Sequence, residues 1–111
     1  MKDYLLPREL VERARAVVEA NRKAGRKLAV AESCTGGLVC AALTEIPGSS
    51  EVLDAGFVTY SNEAKTAGLN VSEEVVETFG AVSIATAWAM AQGAISASNA
   101  CLLYTSDAAD E

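Results

Sequence analysis

Over residues 7–24, the apolar side chains Leu10, Val11, Ala14, Val17 and Val18 recur at helical spacing, with arginines and glutamates on the other face. Pro7 suits a first turn, where a missing N–H does no harm, and Gly25 suits a stop that needs a left-handed residue. The pattern then changes. KLAVAES, residues 27–33, is a short apolar run between a glycine and a cluster of small polar residues, which predicts a buried strand. Residues 38–44, rich in alanine and leucine, predict a helix that the turn chemistry of IPGSS brings to an end. VLDAGFVTYS, residues 52–61, is β-favouring and predicts one strand or a bent pair, with Gly56 marking a bulge or a close backbone approach.

Two short helices are predicted next. One covers residues 62–68 with Gly68 as its stop; the other is SEEVVETFG, with Ser72 as N-cap, glutamates in the first turn and Gly80 at the end. A longer alanine-rich helix follows over residues 83–98, and Ala87, Trp88, Ala91, Ala94 and Ile95 form its predicted apolar stripe. Trp88 and Met90 are assigned to the core rather than to a cofactor. Helices alternate with strands, and no repeat or linker interrupts them before Asn99. That order predicts a layered α/β/α domain around a central sheet.

Composition narrows the function. The 111 residues are 50% hydrophobic and 22% charged, as in a single globular domain. Fifteen acidic against nine basic residues give a net charge of -6 with no basic block, so the electrostatic footprint of a nucleic-acid or anionic-membrane partner is missing. No apolar run approaches the ~20 residues of a membrane span, and the start MKDYLLPREL lacks a signal-peptide core, so a cytoplasmic location is expected. Cys34, Cys40 and Cys101 have no CxxC spacing and no histidine to join them, which favours packed thiols over a metal site. The absence of histidine removes the Ser-His-Asp and Cys-His mechanisms, so any nucleophile must take its base from lysine, a carboxylate or tyrosine.

Two stretches could carry chemistry. In AESCTGGLV, residues 31–39, a strand runs through a small polar turn into a helix. Ser33 or Thr35 can cap that helix, or its free N–H groups can hold a phosphate or an oxyanion, with Gly36 and Gly37 letting a ligand approach. In TYSNEAK, residues 59–65, Lys65 can serve as a base only if its pKa falls well below about 10.4, and Tyr60 can relay a proton. Taken singly, a helix cap and an exposed lysine are the simpler readings. Both stretches, however, leave strands at their carboxyl ends, where α/β sheets form their ligand crevices, and without histidine serine plus lysine is the natural pair.

AESCTGGLV, IPGSSEVLDAGFVTYSNEAK and GAVS at residues 80–83 closely resemble, in order and spacing, the CinA C-terminal domain family, which contains the nicotinamide-nucleotide amidases, or NMN deamidases. The resemblance covers about residues 28–99. It implies hydrolysis of the carboxamide of nicotinamide mononucleotide (NMN) to the carboxylate and ammonia, in pyridine-nucleotide salvage. It further implies Ser33 as nucleophile, Lys65 as base and Tyr60 between them, with Thr35, Gly36 and Gly37 contacting substrate and Gly80, Val82 and Ser83 lining the nucleotide site. No metal or organic cofactor, nucleic acid or membrane is implied, and a homo-oligomer is; because Met1 opens directly into the first predicted helix, the stand-alone form is expected. Cys34 is a rival nucleophile. The alternative is a non-catalytic nucleotide-binding module whose turn at residues 33–37 holds a phosphate.

The ending CLLYTSDAADE departs from the resemblance, which continues with further strands and a Gly-Pro-rich loop. It reads as translated sequencing adapter. Residues 1–100 are therefore expected to be the N-terminal part of an amidase domain and residues 101–111 a non-native tail. The sheet would then be incomplete at its C-terminal side, and the fragment inactive by itself.

Overall fold

The computed structural model describes residues 5–98 and 100 and the backbone of residues 102–105. Asn99, Cys101 and residues 106–111, most of the expected tail, lie outside the described residues. The first helix, α1 (Arg8–Ala24), buries Val11, Ala14 and Val18 and ends on Gly25 at φ 69°, whose N–H donates to the Arg22 carbonyl. Strand β1 (Leu28–Glu32) is buried at all five positions. Helix α2 (Leu38–Thr44) and a single 3-10 turn (Ser49–Glu51) lead to β2 (Leu53–Val58). Three helices follow, α3 (Asn62–Leu69), α4 (Glu73–Phe79) and α5 (Ile84–Ser96), before β3 (Leu102–Thr105).

Serines start all three of these helices. Ser61, Ser72 and Ser83 each accept a backbone N–H from within the first turn, of Ala64, Glu74 and Thr86 respectively. Among the described residues no helix is long and apolar enough to cross a membrane.

The sheet is parallel with order β2-β1-β3. Alternation along β1 divides the core in two. Leu28 and Val30 pack with Val11, Val18, Leu43 and Ile46 of the α1/α2 layer, while Ala29 and Ala31 pack with Leu69, Val76, Met90 and Ala94 of the α3–α5 layer. The expected α/β/α layering is what the chain forms. From β1 the chain steps one way to β2 and then returns across to β3, so the strand order reverses between β1 and β3. In doubly wound sheets such a reversal places the crevice at the carboxyl ends of the strands. Because α5 leads into a strand parallel to β1, its N-terminus faces that same end of the sheet.

Two local expectations need correction, at Gly68 and at Trp88, and at Gly56 the second of two alternatives holds. The bulge lies at Asp54, because the register steps from Leu28↔Leu53 to Ala29↔Ala55; Leu53 and Phe57 consequently pack on opposite sides of the sheet. Gly56 instead serves close approach, since a Cβ there would run into Cys40 Sγ. Helix α3 continues through Gly68 and stops on Asn70, which takes the left-handed conformation at φ 59°. Trp88 is 66% exposed and borders a cleft with Leu69, Asn70 and Gln92, whereas Met90 is fully buried as expected. Met90 and Ala94 of α5 pack in one cluster with Ala29 and Ala31, and Thr86, Ala87 and Ala91 are the helix's other buried side chains. The backbone of Leu102–Thr105 pairs with β1 from Leu28↔Leu102 to Ala31↔Thr105.

Candidate active site

The site begins where β1 and β2 leave the sheet side by side. The Thr59 N–H donates to the Glu32 carbonyl at 2.9 Å, extending the β1–β2 ladder and holding the start of TYSNEAK beside Ser33. Ser61 then caps α3, and one turn later Lys65 folds back toward the strand ends. Lys65 is 1% exposed and Ser33 5% exposed. Lys65 Nζ lies 3.0 Å from Ser33 Oγ, 3.0 Å from the Thr59 carbonyl and 3.1 Å from the Tyr60 carbonyl. The serine and lysine paired on sequence grounds are thus in direct hydrogen-bond contact, 32 residues apart in the chain. Lysine is exposed in the simpler reading of TYSNEAK; the tertiary structure buries it.

Tyr60 has a different place from the one expected. The residue is 74% exposed and only its backbone carbonyl reaches Lys65. Ser33 and Lys65 touch directly, which leaves no gap for a phenol between them.

The turn after Ser33 is organised by a residue that sequence reasoning did not single out. Glu32 is fully buried, and alternation sends its side chain to the α2 side of the sheet. Its Oε1 accepts from Thr35 Oγ1 at 2.6 Å, from Gly37 N at 3.0 Å and from Val39 N at 3.1 Å, and its Oε2 accepts from Cys40 N at 2.9 Å. The Gly36 N–H turns to the Ser33 carbonyl at 3.2 Å. The N–H groups of Gly36 and Gly37, expected to face a substrate anion, are therefore used within the turn. An acid closing an otherwise apolar strand, with threonine three residues on, was the signal available for Glu32.

Burial pushes the Glu32 carboxyl up, but the hydrogen bonds from Thr35, Cys40 and Val39 outweigh it and hold the carboxyl below the ordinary 4.5. A carboxyl lowered on folding stabilises the fold above its unfolded value and loses that contribution as pH falls through its folded value. In urea titrations between about pH 5 and about pH 3, the wild type should lose stability more steeply than Glu32→Gln. Parallel pH profiles would contradict the assignment. Burial and the adjoining Glu32 carboxylate push the Cys40 thiol up to about 12. Iodoacetamide at neutral pH should therefore modify exposed Cys34 and spare Cys40 until unfolding, as peptide mapping would read.

Ser83 and Gly80 meet at the start of α5, where the Ser83 hydroxyl and Thr86 Oγ1 donate to the Gly80 carbonyl at 3.0 and 2.7 Å. Val82 beside them is 43% exposed. This segment faces the strand ends through the direction of α5, without a direct hydrogen bond to Ser33. Among the described residues no group of three histidine, cysteine or acidic side chains is placed to hold a metal ion.

The sequence model of the CinA C-terminal domain matches residues 11–102. A protein of Caldicellulosiruptor saccharolyticus named as competence-damage inducible is 57% identical over 82 residues, which are 74% of this chain and 20% of that protein. The crystal structure of the competence/damage inducible protein CihA from Agrobacterium tumefaciens superposes with a TM-score of 0.89 at 48% identity, over 93% of this chain and 62% of that one. A CinA superfamily protein from Escherichia coli superposes with a TM-score of 0.84 at 32% identity, over 94% and 62%. The chain thus spans about a fifth of the curated relative's length and under two thirds of each solved structure. With the α/β/α layers, the Ser33–Lys65 contact and this match over most of its length, the chain belongs to the CinA C-terminal domain family.

Proposed function

We propose that the complete protein hydrolyses the carboxamide of nicotinamide mononucleotide to the carboxylate and ammonia, with Ser33 as nucleophile and Lys65 as base. The direct Lys65–Ser33 contact carries this reading. A lysine amine has two N–H donors and one lone pair, and two of its three neighbours, the Thr59 and Tyr60 carbonyls, can only accept. In the neutral form that a base requires, both N–H groups stay on those carbonyls and the lone pair turns to the Ser33 hydroxyl, the group to which Nζ donates in the resting structure. Lys65 takes that proton as Ser33 Oγ attacks the carboxamide carbon, then passes it to the departing nitrogen, which leaves as ammonia. Water, deprotonated by the same amine, next attacks the acyl-serine; the carboxylate leaves and the hydroxyl is restored.

In this reading Tyr60 holds the base through its carbonyl, and Gly80, Val82 and Ser83 border the nucleotide. The oxyanion is not stabilised by the Gly36 or Gly37 N–H groups, which are already engaged. The same observation weighs against a phosphate seated on the turn at residues 33–37, because Glu32 takes the Thr35 hydroxyl and the Gly37 N–H while the Ser33 carbonyl takes the Gly36 N–H. Ammonia release from NMN by the full-length protein is the test. Tight NMN binding without turnover would favour the non-catalytic module, and Cys34→Ala should keep kcat within about twofold if serine is the nucleophile.

A further inference from the structure

The Ser33–Lys65 contact has a foundation that the reaction itself does not use. Glu32 has its backbone in the central strand and its carboxylate among four donors contributed by residues 35–40. Backbone and side chain together close a loop with Ser33 on it. On one side the loop is tied to the sheet, on the other to the first turns of α2. Cys40 adds a second tie: its backbone N–H holds Oε2, and its Sγ fills the space over Gly56 of β2 that a side chain would take.

We propose that Glu32 is a positioning residue, an internal anion that holds the nucleophile turn so that Ser33 Oγ sits opposite Lys65. The proposal rests on the serine–lysine reading above. In many α/β proteins a bound phosphate gathers the N–H groups at the start of a helix; here a side chain of the protein does so, and the turn is set before substrate arrives. Fixed charge suits the task. All four partners are donors, so a carboxylate satisfies every one, whereas an amide would turn an N–H₂ group toward at least one N–H. Glu32→Asp keeps the charge but draws it back by one methylene, away from donors that lie at 2.6–3.1 Å.

The test is steady-state ammonia release from NMN by full-length protein, with folding checked by circular dichroism at the assay temperature. Glu32→Gln and Glu32→Asp should lower kcat by about 100-fold, the effect of a misplacement of about 1 Å, while KM stays within about threefold. Thr35→Val, which removes one donor, should lower kcat about tenfold, and Thr35→Ser, which keeps the hydroxyl, should restore it to within about twofold. A purely structural role would lower thermal stability and leave kcat per folded molecule unchanged. That result overturns the proposal, as does a rise in KM alone. If Glu32→Gln does not fold, the Thr35 pair decides: wild-type kcat in Thr35→Val, or no recovery in Thr35→Ser, overturns it. Ser33→Ala separates the two levels. Turnover that survives Ser33→Ala removes the nucleophile assignment and the positioning role with it. Turnover lost in Ser33→Ala but intact in Glu32→Gln removes the positioning role alone.

Discussion

Replacing Lys65 by methionine should lower kcat for ammonia release from NMN by about 1,000-fold or more with KM little changed, because a general base removed from the reaction acts on the transition state and not on substrate binding. Methionine fills the buried volume but cannot donate to the Thr59 and Tyr60 carbonyls, each of which Lys65 Nζ now reaches within 3.1 Å. Leaving the buried Thr59 carbonyl unpaired costs about 1–3 kcal/mol, and the part-buried Tyr60 carbonyl less, so the rate must be normalised to folded protein. Ser33→Ala should be as severe. Nucleophile and base act as one unit, so the double variant should be scarcely worse than either single one. A double variant whose loss equals the product of the single losses would show that the two residues act independently. Full kcat in either single variant would remove its role.

The second large effect is on stability. Gly93 lies in the middle of α5, where alanine would ordinarily help a helix by about 1 kcal/mol. Here a Cβ would run into the carbonyl oxygen of Leu69 and come within 2.9 Å of that residue's carbonyl carbon and Cβ. Two of those three atoms are backbone and have no rotamer to change, so α5 must move off the C-terminal end of α3. Overpacking of this kind costs about 1–3 kcal/mol or more, and Gly93→Ala should lower the melting temperature by about 10 °C. Thermal unfolding followed by circular dichroism would check this; an unchanged or raised midpoint would show that propensity outweighs the contact.

Local chemistry explains which parts of the fold were legible. Residues 38–44 form a helix over the span their composition indicates, and Ser72, Ser83 and Gly25 cap where their side chains or backbone freedom place them. These signals act within one or two turns of chain. Trp88 misleads because its position on the helical wheel is close to the true stripe, and only tertiary packing decides that it lies exposed. Gly68 misleads for a similar reason. It is a plausible stop, but the chain continues helical and Asn70 takes the left-handed position.

The site divides along the same line. AESCTGGLV and TYSNEAK could be recognised as strand-end turns, and the empty histidine column pointed to serine with lysine. Residue types, element order as far as α5 and the α/β/α layering were determined by the sequence alone, because periodicity, caps and turns depend on neighbours a few residues apart. Three things were decided only by the tertiary structure: the burial of Lys65, the exposure of Tyr60 and the capture of the turn's N–H groups by Glu32. Each depends on which strand lies beside which. The parallel pairing of β1 with β2 carries Thr59 to Glu32, and from there an otherwise ordinary helix lysine reaches a serine that the linear chain places 32 residues away.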